Sequence, residues 1–168
     1  MDVQDLLLDG FGRVPPAVHA VLDGCDEQVL TARPAPGANT IAWLLWHLAR
    51  VQDDHVSEVA GTEQAWTADG WARRFALPLA DDETGYGFSP EQVGLVRASA
   101  QLLGGYVDAV HERTARYLRT LTGADLDRVV DDSYDPPVTL GVRLVSVLDD
   151  DLEHVGQAAY LAGLLRRR

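Results

Sequence analysis

Apolar positions return at helical spacing over most of the chain, and four long stretches carry the pattern. In the first, Leu6, Leu7, Phe11, Val14, Val18 and Leu22 predict an amphipathic helix over residues 3–22, with Pro15 and Pro16 kinking or splitting it. The second, NTIAWLLWHLARVQDDHVSEVA over 39–60, takes Asn39 or Thr40 as its N-cap and stops at Gly61, a residue suited to a left-handed C-cap. Ser89-Pro90-Glu91-Gln92 combines an N-cap serine, a first-turn proline and a capping-box glutamine, and so predicts a third helix reaching about Leu121. Within it Gly104 and Gly105 cost stability relative to alanine, which suits a close approach to a neighbouring helix. The fourth follows Thr139, once Pro136-Pro137 has blocked helix, and runs to the C-terminus. No stretch reads as a strand, and no repeat is evident. The pattern predicts an all-α protein, a four-helix bundle forming a single domain over 1–168.

The connections are uneven. TARPAPGANT is a proline- and glycine-bearing link, and TGADLDRVVDDSYDPPVT is a second link with one helical turn near its centre. Residues 62–89 are the least regular part, an elaborated crossover between the second and third helices with a short helix near Trp71. This crossover holds two of the four tryptophans, with Phe75, Tyr86 and Phe88. A long aromatic crossover serves either as a lid or pocket wall or as packing over one end of a bundle.

Composition narrows the function classes. Hydrophobic residues make up 46% and charged residues 24% of the chain, values of an ordinary globular protein. A net charge of −12 and a pI near 4.6 argue against nucleic acid and against anionic membrane surfaces. Arg166-Arg167-Arg168 is the one dense basic run, read as a helix end complementing its own dipole. Cys25 is the sole cysteine, so it forms no intramolecular disulfide and is read as a small packed residue. The opening MDVQDLLLDGFGR lacks the features of a secretory leader, and no uncharged run approaches the ~20 residues of a membrane span. A cytoplasmic protein is expected.

The candidate chemistry lies on two distant helices. Asp150 and His154 are four residues apart and share one face, beside Val147, Ala158 and Leu161. An ionised carboxylate among core positions is costly unless paired or metal-bound. Asp151 is a rival at the three-residue spacing, but Asp150 agrees better in direction with His154 at ~100° per residue. The second helix must supply the third group. Its apolar stripe of Ile41, Leu44, Leu48, Gln52, His55 and Val59 contains His55, whereas His47 lies on the flank, so periodicity leaves the two competing. Two imidazoles and a carboxylate suit Zn²⁺, Ni²⁺ or Fe²⁺ with positions left for water or substrate. A hydrogen-bonded buried cluster without metal accounts for the same spacing. His19 and His111 read as ordinary surface or half-buried histidines.

WHLARVQDDH around His47 and DDLEHVGQ from Asp150 to Gln157 together resemble the DinB-like metalloenzyme superfamily. These four-helix bundles include mycothiol-dependent maleylpyruvate isomerases and related bacterial thiol S-transferases. RPAPGANTIAWLLWHLARV resembles the family's second helix, and HVGQAAYLAGLLRR its fourth. The resemblance implies that His47 is the first metal ligand, Asp150 the middle one and His154 the last. Many members carry histidine at the middle place, and the isomerase branch a carboxylate, generally the longer glutamate. The resemblance decides for His47 over His55. It further implies a low-molecular-weight thiol such as mycothiol that ionises on the metal and attacks an electrophile, with a homodimer as a common assembly. Asp54, His55 and Tyr160 are then the candidates for catalytic proton transfer, and Trp43 and Trp46 for pocket walls. A hydrolase activating water at the same site and a non-catalytic metal-binding or stress-response protein are the alternatives.

Overall fold

Side-chain caps set where most helices begin in the computed structural model, which describes residues 1–166. Asp2 and Asp5 form a capping box that opens α1 (Val3–Gly12). Arg13 separates it from α2 (Val14–Leu22), whose first turn holds Pro15, so the first apolar stretch is split near its prolines. Asp26 caps α3 (Glu27–Thr31), one turn and a half that the pattern did not announce. Thr40 accepts from the Trp43 amide at the start of α4 (Ile41–Ala60), and Gly61, at φ +67°, ends it. The crossover contains α5 (Ala65–Ala68), α6 (Trp71–Phe75) and α7 (Pro90–Val93). Ser99 then caps α8 (Ala100–Leu118), and Thr139 caps α9 (Leu140–Leu165).

Two expectations are corrected. The capping box at Ser89 is real, yet it starts only the single turn of α7, and the third long helix begins eleven residues later at Ala100. The chain leaves helix at Gly94 and turns Val96 and Ala98 into the core before Ser99 restarts it. A cap marks where a helix starts and says nothing of its length. The last link holds, besides the anticipated turn (a 3₁₀ segment, Gly123–Asp127), a two-stranded antiparallel ribbon of β1 (Val129–Asp131) and β2 (Val138–Thr139). Strands this short leave no readable alternation.

The long helices pack side by side. α4 lies against α8 and, most extensively, α9, while α2 also touches both α8 and α9 and α1 rests on α8. Gly104 and Gly105 act as expected: a Cβ at Gly104 would stand 3.0 Å from the His19 ring of α2, and one at Gly105 would stand 3.0 Å from Trp71. Arg166 donates to the Val21 carbonyl at 2.8 Å and also to that of Asp23, so it complements the end of α2 rather than its own helix. Arg167 and Arg168, the rest of the basic run, lie outside the described residues. No helix among the described residues is long and apolar enough to cross a membrane.

A three-residue cluster at the end of a cavity

His47 is buried because α4 is covered on more than one side. Every residue from Ile41 to Arg50 is buried, including positions off the main apolar stripe, since the 62–89 crossover closes over the flank that α8 and α9 leave open. The His47 ring stacks on Trp43 one turn earlier, at 4.5 Å between centroids and 12° between planes. Its Nδ1 lies 2.6 Å from the Thr84 carbonyl. A carbonyl only accepts, so Nδ1 carries the proton and Nε2 presents its lone pair, the arrangement usual for a ligating histidine. Gly85, at φ +96°, follows directly, and a Cβ there would stand 2.9 Å from His47 Nδ1 and 3.0 Å from Trp46. Gly85→Ala is therefore expected to cost about 1–3 kcal/mol through backbone strain and to displace the imidazole. Chemical denaturation combined with the His47 NMR signal checks this.

Helix α9 brings Asp150 and His154 opposite, one turn apart, with His154 Nε2 3.5 Å from Asp150 Oδ1. The two imidazoles stand 4.9 Å apart between centroids. One potential ligand atom from each of His47, Asp150 and His154 lies within 4.8 Å of the others, forming a possible metal-binding group. Asp150 Oδ2 is buried and has no hydrogen-bond partner among the described residues. His154 Nδ1 faces Gln157 Oε1 at 3.4 Å. Asp151, the rival, points the other way: it is fully buried, both its oxygens are unpartnered among the described residues, and burial followed by the Asp150 charge pushes its pKa far up.

Burial holds the His47 pKa below the usual histidine value. The Thr84 carbonyl and Asp150 work against that shift, and His154 works with it. A histidine depressed in the folded state is neutral there while the unfolded chain still titrates near 6.5. The stability it contributes is complete above about pH 6.5 and is lost as pH falls from there through the folded value. Metal-free protein is accordingly expected to be less stable at pH 5 than at pH 7.5, with a smaller difference in His47→Gln. Denaturant midpoints at both pH values measure it.

His47 and Asp150 of the cluster line a cavity of about 920 Å³ between α4, α9, the crossover and the β-ribbon. Asp54 and His55 line it, but farther along α4. Asp54 accepts from Gln64 Nε2 at 2.6 Å, and His55 Nδ1 faces Arg143 Nη1 at 2.9 Å. Tyr160 does not join them: it is 72% exposed and lies six residues past His154, on another side of α9. His111 is half-buried in α8, and His19 pairs with Asp108 at 2.9 Å, both outside the cavity lining. The crossover does both things foreseen for it. Trp66, Trp71 and Phe75 pack around Tyr106, while Thr84 and Tyr86 wall the cavity.

Sequence reasoning missed what fastens that wall. Arg50 is fully buried, donating to the carbonyls of Glu83 at 3.1 Å and Asp81 at 3.3 Å and to Gln64 Oε1 at 2.8 Å. Asp53 beside it accepts from the Ala65 and Trp66 amides and from the Tyr106 hydroxyl, each at 2.8 Å. The one available signal was an Arg and an Asp three residues apart in a helix already apolar on several sides.

A model of the DinB superfamily matches residues 11–158. Among solved structures, the crystal structure of a conserved protein from Enterococcus faecalis is similar to the chain. The two share 32% identity and a TM-score of 0.93 over 100% of this chain and 99% of that one. No curated protein matches.

Proposed function

This chain belongs to the DinB superfamily, and from that premise and the cluster geometry we propose that it is a divalent-metal-dependent enzyme activating a small thiol for S-transfer or isomerisation. The observation that carries the reading is the convergence of His47, Asp150 and His154 beside a cavity that His47 and Asp150 line. The donor set fits a metal. A buried carboxylate oxygen without a partner is costly unless a cation meets it, and Asp150 Oδ2 is such an atom. His47 would offer Nε2, its other nitrogen being held by Thr84. Two imidazoles and one carboxylate favour Zn²⁺ or Ni²⁺, with Fe²⁺ also compatible. When bound, such a metal retains positive charge and lowers the pKa of a coordinated thiol, mycothiol or a similar compound, towards neutrality.

The protein's own part is orientation and exclusion of water. Trp43 packs flat on His47 and edge-on to His154, keeping solvent from that side. Thr84 and Gly85 close the other. The remaining lining leaves room for an electrophile beside the thiol. The side-by-side packing of α1–α2, α4, α8 and α9 supports reading the whole as one four-helix-bundle domain.

The test is elemental analysis of untagged protein, followed by turnover assays pairing small thiols with electrophiles, run beside simple esters and amides. Bound metal with thiol-dependent turnover supports the reading. Hydrolysis without thiol would make water the nucleophile, and protein that takes up no divalent metal would end the enzyme reading.

A further inference from the structure

Asp54 has a fixed polarity and no counter-ion among the described residues. It sits seven residues beyond His47 on α4, so it points in nearly the same direction two turns away, about 10 Å along the helix axis. That is too far for proton transfer at the cluster, yet Asp54 lines the same cavity. Its partners fix its role. Arginine only donates, so Arg50 Nη1, 2.8 Å from Gln64 Oε1, sets the Gln64 amide with its nitrogen turned away. That nitrogen donates to Asp54 Oδ1 at 2.6 Å. The chain Arg50 to Gln64 to Asp54 thus presents an oriented acceptor to the cavity. No Arg or His pairs with Asp54 among the described residues, and its other oxygen makes no hydrogen bond among them.

The cavity's cation is already engaged. Arg143 donates to Glu58 at 3.0 Å, to Asp131 at 3.3 Å and to His55 Nδ1 at 2.9 Å. His55 Nδ1 therefore shares this guanidinium with two carboxylates. Along this wall a ligand carboxylate would meet no unpaired arginine among the described residues, whereas an ammonium would meet an oriented carboxylate. Val51, Val138, Val142 and Val147 add apolar surface to the cavity lining.

We infer that Asp54 is a specificity-determining residue, accepting a hydrogen bond from an ammonium group carried about two helical turns from the substrate atom that meets the His47–Asp150–His154 cluster. The substrate class is then an extended amine rather than an anionic compound. The placement of its reactive end rests on the proposed metal–thiol reading, but the amine subsite can be tested apart from it.

Calorimetric titrations would use octylammonium, octanoate, 8-amino-1-octanethiol and 8-mercaptooctanoate on wild-type protein and on Asp54→Asn, with and without Zn²⁺. The variant keeps the acceptor for Gln64 and loses only the charge. Wild-type protein is expected to bind each ammonium compound at least about tenfold more tightly than its carboxylate counterpart, the scale of one charge-assisted hydrogen bond. In Asp54→Asn that ratio should fall below about threefold. A ratio near one in wild-type protein, an unchanged ratio in the variant, or no binding of octylammonium would each overturn the inference. If octylammonium behaves as expected while the thiols gain nothing from Zn²⁺, the metal–thiol reading fails and the amine subsite stands.

Discussion

His154→Ala is expected to abolish retention of divalent metal while leaving a folded, helical protein. Loss of a single outer partner of a metal ligand already costs roughly 10–100-fold in affinity. Removing one of only three ligands should cost more than about 100-fold, on that scale. The fold should tolerate the change. His154 is only 16% exposed and packs against the Trp43 and His47 rings, so its truncation is expected to cost about 0.5–3 kcal/mol, a typical single-site loss rather than unfolding. Two control substitutions sharpen the test. His55→Ala should retain metal, because His55 is occupied with Arg143 away from the cluster. Asp151→Asn should retain it too, whereas Asp150→Asn should not, since only Asp150 joins the converging group. Metal content by elemental analysis and helicity by circular dichroism give both readouts. Loss of metal in His55→Ala with retention in His154→Ala would reassign the ligands.

The second large effect concerns the crossover. Asp53→Ala should destabilise the protein by about 3–5 kcal/mol, the cost of leaving a buried charged partner uncompensated. Arg50 would lose the carboxylate 3.8 Å away, and three donors, the Ala65 and Trp66 amides and the Tyr106 hydroxyl, would lose their acceptor. Burial, followed by the Asp53 charge, pushes the Tyr106 pKa well up, so this hydroxyl stays a donor throughout the neutral range. At ~2–4 °C per kcal/mol for a chain of this size, the melting temperature should drop by roughly 6–20 °C. Metal affinity should fall as well, because Arg50 holds the carbonyls of Asp81 and Glu83 next to the Thr84 carbonyl that orients His47. Asp54→Asn, one residue on, should leave stability within about 0.5 kcal/mol. A loss below about 1 kcal/mol in Asp53→Ala would show that the crossover is held by its aromatic packing instead.

Local chemistry was legible in the residues themselves. A cap at Asn39 or Thr40, Thr139 as a cap, Gly61 as a left-handed stop and the break near Pro15 follow from which backbone groups each residue can satisfy or forbid, and the structure has all four, with Thr40 as the first cap. The pairing of Asp150 with His154 is of the same kind, since one turn of helix brings them together whatever surrounds it. The length of the helix after Ser89 was not legible: its end depends on Val96 and Ala98 finding the core, a matter of distant partners. The choice between His47 and His55 was beyond periodicity too. A wheel ranks positions by one buried face, whereas α4 is buried on several. The second cover comes from the crossover, held down by Arg50 and Asp53 and placing the Thr84 carbonyl on the His47 ring. The order of residues thus determined where α4 and α9 begin, where α4 stops, and the acid–histidine pair on α9. Family resemblance, not spacing, singled out His47, and only the folded chain gave the physical reason and the tautomer, because both rest on a carbonyl 37 residues away in sequence.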